Sequence, residues 1–403
     1  MAKKLVFGRY DYAAFLAFIS YSACSIIIPM ALVAISKSFD FPLDAGGLGQ
    51  GGALQLGRSF IMVISMLGSG YLAGIIGVKK TMATGLIVMG LSIILAAISP
   101  FYGILFFFVA CAGLGEGILE GYSTPFIQNL HKNDEPGRYI TFSHGFWSVG
   151  IFLTVLIAGY MLMIGVNWRI IVGLCGFLAM LPAILVLAKE KPNQQHYPEQ
   201  KNTIPHSVTW QRAMRIISIP RFWVFFTAMI FAGGGEYCLT FWCASYMQTI
   251  LKANAFIGGV STAIFAGGMI FGRLYFASHV REKNFKKLII IVGFVGASFG
   301  VFFPHIQNIA VLIVFLFFLG IASAPFWPTI QSFATCRMRV DNTMLFVLLS
   351  CAGVPGCGIF TFLMGVVGDK IGFTESFYLV PICYVIMALL VLSENLWKSN
   401  LRK

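Results

Sequence analysis

Twelve long apolar stretches, separated by short polar segments, make up most of this 403-residue chain. The sequence is 58% hydrophobic and only 11% charged, whereas an ordinary soluble domain carries about 25% charged residues. A helix needs roughly 20 mostly apolar residues to cross a bilayer. We therefore predict an all-α integral membrane protein whose transmembrane helices lie at about 11–35, 46–76, 80–98, 101–128, 139–164, 168–188, 222–248, 255–278, 287–303, 309–335, 343–367 and 374–396.

A long polar segment at 189–221 divides the spans into two groups of six. Its Asn, Gln, Pro and Lys content is typical of a linker, and 210–219 predicts an amphipathic helix on the inner leaflet. We expect an N-terminal bundle at 1–188, a cytoplasmic linker at 189–221 and a C-terminal bundle at 222–403. The glycine-rich, basic ends of spans two and eight resemble each other weakly, which favours two pseudo-symmetric halves.

The basic residues are distributed asymmetrically across the predicted spans. Of the 28 Lys and Arg residues, 22 fall on one side of the membrane. The positive-inside rule therefore places both termini on the cytoplasmic side of the cell (inner) membrane. The opposite side has Lys37, Arg169, Lys252 and Lys370. The net charge of +13 does not indicate nucleic-acid binding, since these residues occupy short gaps rather than one stripe.

Enzyme chemistry receives no support from the sequence. The nine cysteines lie in or beside apolar runs, without a CxxC motif or a His/Cys cluster at metal-ligand spacing. There is no nucleophile-and-base grouping and no phosphate-binding Gly-x-x-x-x-Gly-Lys-Ser/Thr loop. We expect no cofactor and no enzyme activity, and a secondary transporter explains the spans and the few inward charges together.

The end of span two resembles the loop between spans two and three of the major facilitator superfamily, G-x-L-a-D-r-x-G-r-k. Gly74 stands where the acidic residue is expected and Ile75 replaces a basic one, so the charge lock of that loop is expected to be weakened. Arg273 in span eight is expected to be a gating or lipid-facing structural charge rather than a substrate ligand. The predicted gating set is Gly70, Gly77, Lys79, Lys80 and Arg273.

A closer resemblance, over most of the chain, is to the fucose-permease-type sugar symporters of that superfamily. It is carried by Gly113-Leu114-Gly115 with Glu120 and Pro125-Phe126 in span four, the Ser143–Gly150 segment in span five, the glycine run before Glu236 with Trp242 and Tyr246 in span seven, and Trp327-Pro328 with the Gly353–Gly372 series in spans ten and eleven. The resemblance implies the major facilitator fold and sugar:proton symport. One departure is Ser25, which occupies the position of an acidic residue that helps couple sugar to protons in the family.

Glu116 and Glu120 lie four residues apart and so share one helix face. An ionised group at membrane depth costs at least roughly 2.5–3.5 kcal/mol unless it is paired, protonated or used. We predict that Glu120 couples transport to protons, and that Glu116 and His144 are further candidates for this role. His144 is also a candidate sugar ligand. Arg58 either holds the two glutamates or binds a substrate carboxylate.

The remaining candidates are sugar ligands. Glu236 follows Gly233-Gly234-Gly235, a run expected to let the helix unwind beside a ligand. Flat rings suit the apolar faces of sugars, although any one of these rings is also compatible with helix packing. The predicted substrate-binding residues are Arg58, His144, Trp147, Glu236, Trp242, Tyr246 and Trp327.

The sequence thus predicts a monomeric, lipid-embedded carrier of a small polar solute. The favoured function is alternating-access symport of a monosaccharide with a proton, and Ser25 keeps sodium open as the coupling ion. The alternative is a proton-coupled carrier of organic anions or acidic sugars, in which Arg58 binds the carboxylate.

Overall fold

The computed structural model describes residues 5–131, 136–189, 195–197, 206–338, 340 and 342–397, and within these ranges the chain is helical without any strand. The helices, in chain order, are α1 (Arg9–Ser38), α2 (Leu48–Ile76), α3 (Val78–Ala97), α4 (Tyr102–Leu130), α5 (Pro136–Met163), α6 (Trp168–Leu187), α7 (His206–Ile217), α8 (Pro220–Thr249), α9 (Ala255–His279), α10 (Phe285–Phe302), α11 (Ile309–Ser323), α12 (Phe326–Met338), α13 (Asn342–Ile371), α14 (Phe373–Ser376) and α15 (Leu379–Ser393).

Twelve helical stretches in these ranges are long and apolar enough to cross a membrane, which confirms the predicted all-α fold and its number of spans. Span ten consists of α11 and α12, which are separated at Ala324 and Pro325. Proline has no amide hydrogen and its ring clashes with the preceding turn, so an α-helix breaks there. The predicted amphipathic helix corresponds to α7, which exposes Trp210 and Met214.

Part of the orientation argument rests on basic residues outside the described ranges. The sidedness of the chain and the cytoplasmic position of its termini therefore stay predictions. The basic residues concerned are Lys3, Lys4, Lys132, Lys191, Lys201, Arg339, Lys398, Arg402 and Lys403.

The chain divides into two compact units by its internal contacts. Unit one comprises Met1–Ala31 and Phe60–Thr203, and unit two comprises Leu32–Ser59 and Ile204–Lys403. The division into bundles at 1–188 and 222–403, with the linker at 189–221, stays a prediction. It differs from the contact-based units because it assigns 32–59 to the N-terminal bundle and not to unit two.

Small residues allow the helices of unit one to pack closely. Helix α3 lies against α4 and α6. Gly85 faces Gly115, and Gly90 faces Gly176, at separations that leave no room for a Cβ atom. Backbones that approach this closely gain dispersion energy, which is a main source of helix association in lipid.

Unit two is organised around α8. This helix packs against α13, α15 and α9, and α9 packs against α11 where Gly268 meets Gly320. The first part of α2 belongs to this unit: Gly52 approaches the backbone of Phe362, and Gly365 approaches the backbone of Leu48. The N-terminal end of α2 is therefore in backbone contact with α13.

Buried ion clusters hold the ends of both units. In unit one, Asp11 Oδ1 lies 2.6 Å from His131 Nε2, and Asp11 Oδ2 accepts from Gln195 Nε2 at 2.9 Å. In unit two, the fully buried Glu394 lies 3.0 Å from Arg337 and 3.4 Å from both Arg221 and Lys286. A buried carboxylate is tolerated only with such partners.

Asp369, at the end of α13, caps the N-terminus of α2. Leu48 N donates to Asp369 Oδ1 at 2.9 Å, and Gly49 N donates to Oδ2 at 2.7 Å. The first amides of a helix have no intrahelical partner, and a carboxylate there also complements the positive end of the helix dipole. This one side chain joins segments 320 residues apart in the chain.

We expect Asp369→Asn to lower the stability of the purified protein by about 1 kcal/mol, because an amide offers one acceptor where the carboxylate offers two and carries no charge. Thermal unfolding in detergent measures the change. Asp44→Asn is the matched control, since Asp44 is exposed and has no hydrogen bond or ion pair within the described part of the chain. Equal melting temperatures for the two variants would contradict this role of Asp369.

Candidate functional site

The carboxylates of α4 are held on one face of that helix in unit one. Glu116 is buried and Glu120, one turn later, is half-buried. The neighbouring glycines fix the helix: Gly117 lies against the backbone of Met62, and Gly121 lies against Ser69. Two carboxylates one turn apart repel each other when both are ionised.

Tyr21 of α1 is hydrogen-bonded to Glu120. This partner was not predicted from the sequence. Tyr21 is four residues before Ser25, so the two share one face of α1, and both side chains are buried. The available signal was a tyrosine one turn from the position where the family acid is expected. A phenol here donates to Glu120 in a helix that lacks that acid.

The side chain of His144 on α5 also contacts the polar face of α4. Its Nε2 lies 2.9 Å from Thr124 Oγ1, and its ring centroid lies 4.7 Å from that of Phe18. Thr124 follows Glu120 by four residues, so it continues the polar face of α4. We call Tyr21, Glu116, Glu120, Thr124 and His144 the unit-one polar cluster; it contains all three predicted proton-coupling residues.

Arg58 lies in the part of α2 that belongs to unit two and is almost fully buried, with 1% of its surface exposed. The predicted pairing of this guanidinium with Glu116 and Glu120 stays a prediction. Trp147, on α5 three residues after His144, is half-buried.

Unit two contains a second charged pair, which was not predicted from the sequence. Glu236 Oε1 of α8 lies 3.6 Å from Arg273 Nη2 of α9. Glu236 Oε2 is buried, and no side chain or backbone group in the described ranges donates to it. Arg273 Nε also donates to the carbonyl of Ala324 at 3.4 Å. The unused lone pairs of Glu236 make it an acceptor for a ligand hydroxyl or a proton.

The glycine run before Glu236 does not unwind α8, which is a continuous helix from Pro220 to Thr249. The expectation of a broken helix was wrong for this conformation. Gly233 lies against the backbone of Gly353, Gly234 against the ring of Phe360, and Gly235 against the ring of Tyr384. The run therefore serves close packing on α13 and α15.

Two of the predicted sugar ligands are core residues in this conformation. Trp242 is fully buried, and its Nε1 donates to the carbonyl of Thr361 at 3.1 Å. Tyr246 is packed between Phe303 and Phe377, at centroid distances of 5.5 Å and 4.7 Å. Their assignment to substrate binding stays a prediction that requires these helices to separate.

Trp327 at the start of α12 is half-buried and lies against Gly353. Its indole therefore retains a free surface in unit two. Close by in the same unit, the hydroxyls of Ser323 and Tyr384 are 2.6 Å apart. These hydroxyls were missed because serine and tyrosine carry no charge to mark them in an apolar run.

Four of the five predicted gating residues lie at or near the α2–α3 turn of unit one, and the fifth, Arg273, lies on α9 of unit two. Gly77 has a φ of +86°, a conformation that L side chains rarely adopt, so glycine is required in this tight turn. Lys79 Nζ is 5.8 Å from the ring centroid of Tyr10, Lys80 is exposed, and Gly70 has open space around it. Their gating role, and that of Arg273, stays a prediction.

No group of three or more His, Cys, Asp or Glu side chains suited to a metal ion occurs among the described residues. None of the nine cysteines, all within that part of the chain, forms a disulfide.

Comparison with known proteins gives the family. The model of the Major Facilitator Superfamily matches residues 13–357. A search of curated proteins finds no match.

Three solved structures show the same fold. The crystal structure of a D-xylose-proton symporter has a TM-score of 0.79 and 14% identity, covering 95% of this chain and 96% of that one. The crystal structure of a mutant of the nucleoside transporter NupG has a TM-score of 0.71 and 14% identity, covering 97% of this chain and 100% of that one. The crystal structure of a mutant of the E. coli fucose:proton symporter FucP has a TM-score of 0.63 and 16% identity, covering 96% of this chain and 98% of that one. Since the family model spans most of the sequence, the chain belongs to the major facilitator superfamily and is a multi-pass membrane transporter.

Proposed function

We propose that this protein carries a small polyhydroxylated solute, in first place a monosaccharide, together with a proton by alternating access. The observation that carries the proposal is the unit-one polar cluster, in which Tyr21 binds the Glu120 carboxylate and Glu116 lies one turn away.

The chemistry of this cluster suits reversible proton binding. With both carboxylates ionised, Glu116 and Glu120 repel each other in a medium of low dielectric constant. Protonation of Glu120 removes that repulsion and the cost of a charge at membrane depth. The Tyr21 hydroxyl stabilises the ionised form by donating to it. The surroundings of Glu120 therefore contain one group that favours its ionised form, Tyr21, and one that favours its protonated form, Glu116.

The substrate class is supported by the acceptors and rings that remain available. Glu236 Oε2 is a buried acceptor with no donor in the described ranges, and Trp147 and Trp327 are half-buried rather than buried. Sugar hydroxyls and apolar sugar faces match these groups. Two of the structures that share this fold are of sugar:proton symporters.

Uptake is the proposed direction by analogy with sugar:proton symporters, with export as the alternative, because the inside-negative potential drives a symported proton and its solute inward. Each proton that enters brings about 2.3 kcal/mol per 100 mV of inside-negative potential. This energy corresponds to accumulation of the solute by roughly tens-fold.

The second candidate function, transport of acidic sugars or organic anions, is favoured by the burial of Arg58. A guanidinium binds a carboxylate with two parallel hydrogen bonds. Uptake into proteoliposomes across neutral monosaccharides, nucleosides and uronates separates the two functions. Accumulation of a uronate but not of its parent sugar would establish the second.

We expect Glu120→Gln to abolish concentrative uptake driven by an imposed pH gradient while sparing solute exchange, because the amide is a permanent mimic of the protonated acid. Uptake and counterflow of a radiolabelled sugar in the same proteoliposomes measure the two activities. Glu375→Gln is the matched control, since Glu375 is exposed at the end of a span. Concentrative uptake by Glu120→Gln at the control rate would refute the coupling role.

We expect Glu236→Gln to raise the KM for sugar by roughly ten-fold or more, since a hydrogen bond to a charged acceptor contributes about 1.5–3 kcal/mol. Initial rates over a range of sugar concentrations give KM and kcat. Glu236→Asp keeps the charge and is expected to lose less. A change in kcat alone, with KM unchanged, would argue against a contact between Glu236 and the sugar.

Alternating access also requires the contact between α2 and α13 to open during the cycle. A Cβ on Gly49 would lie 4.0 Å from the Cα of Val366, which is close enough for a disulfide. In a background without the native cysteines, we expect Gly49→Cys/Val366→Cys to lose transport on oxidation and to recover it on reduction. Each single cysteine is its control, and full transport by the oxidised double variant would show that this contact stays closed throughout.

A further inference from the structure

A cavity of about 720 Å³ lies in unit two, where α10 begins and α12 ends. Its lining includes four cationic side chains and an apolar wall. The cations are Lys283, Lys286, Lys287 and Arg337, and the wall includes Ile290 and Ile291.

The cavity has more positive charge than its own surroundings neutralise. Lys286 and Arg337 pair with the buried Glu394. Lys283 and Lys287 are exposed and have no anionic partner in the part of the chain that the structure describes. Glu282 is the acidic residue of the lining, and its Oε2 accepts a hydrogen bond from Cys336 Sγ at 3.8 Å.

The position of these lysines on α10 is unfavourable without an anion. Lys286 and Lys287 lie in its first turn, which has no acidic residue. The N-terminal end of a helix has a partial positive charge that destabilises nearby cations and attracts anions. The N-cap residue Asn284 makes no side-chain hydrogen bond to the first turn. A bound anion would offset both effects.

The apolar wall continues into the membrane. Residues Glu282–His305 form one membrane-capable stretch, so the lysines lie at its edge and the isoleucines one turn inside. Ile291, Phe294 and Val295 are exposed and share one face of α10. The surface thus changes from cationic to apolar over the distance that separates a lipid phosphate from its acyl chains.

We propose that this cavity binds the phosphate of an anionic phospholipid, with Lys283 and Lys287 as the charge partners and the Ile290–Ile291 wall against an acyl chain. Basic cavities between spans at the inner face suit such headgroups. A free phosphate has no acyl chain and would leave the apolar wall unused. The site is independent of the transported solute.

The test is the Lys283→Gln/Lys287→Gln variant, purified from vesicles of equal phosphatidylglycerol and phosphatidylcholine content. The ratio of the two lipids that remain bound, measured by native mass spectrometry, is expected to fall roughly 25-fold, which corresponds to about 1 kcal/mol per lysine. Lys37→Gln/Lys252→Gln removes the same charge from exposed positions outside the cavity and is expected to keep the ratio. Equal ratios in the two double variants overturn the proposal.

Two further arms separate a lipid from a soluble anion. Ile291→Asn leaves the cations in place and is expected to lower bound phosphatidylglycerol severalfold. Inorganic phosphate at millimolar concentration is expected not to displace the lipid from the unaltered protein. Displacement by phosphate, or no effect of Ile291→Asn, would assign the cavity to a soluble anion instead. Melting temperatures of all variants in phosphatidylcholine confirm that each is folded.

Discussion

The absence of water from the bilayer core is the constraint on which the rest of this structure depends. Every polar group in a span must find its partner inside the protein. The free amides at the start of α2 meet Asp369, and the buried carboxylate of Glu394 meets three cations. Since each such pairing fixes two segments together, the few charged residues of the chain determine how its otherwise similar apolar helices are held at their ends.

The same constraint makes incompletely satisfied groups informative. Glu120 has a donor in Tyr21, which stabilises its ionised form, whereas burial and the like charge of Glu116 favour its protonated form. Glu236 has one oxygen near Arg273 and the other without a donor in the described ranges. A carboxylate kept in this condition costs free energy. In the proposed symport, the missing partner would be the proton or the solute.

The fold was predictable from the sequence because hydropathy acts over whole spans, and one or two misplaced residues do not change it. Glu116 and Glu120 were predictable too, since a charge in an apolar run is conspicuous. Tyr21 was not, because a tyrosine reads as an ordinary apolar residue until the neighbouring helix is known. The glycines before Glu236 admit two explanations, unwinding or close packing, and only the positions of Phe360 and Tyr384 decide between them. Trp242 likewise packs in the core where its sequence context favours a ligand.

The two ends of α2 now have a clear asymmetry. At its C-terminal end, Gly74 stands where the resemblance to the superfamily loop places an acid, so the charge lock of that turn is expected to be weakened. At its N-terminal end, Asp369 supplies a carboxylate to the helix amides. Since a charged cap stabilises the conformation in which it is made, this distribution favours the state with the Asp369 contact closed. In the proposed symport cycle, binding of solute and proton would provide the free energy that opens this contact.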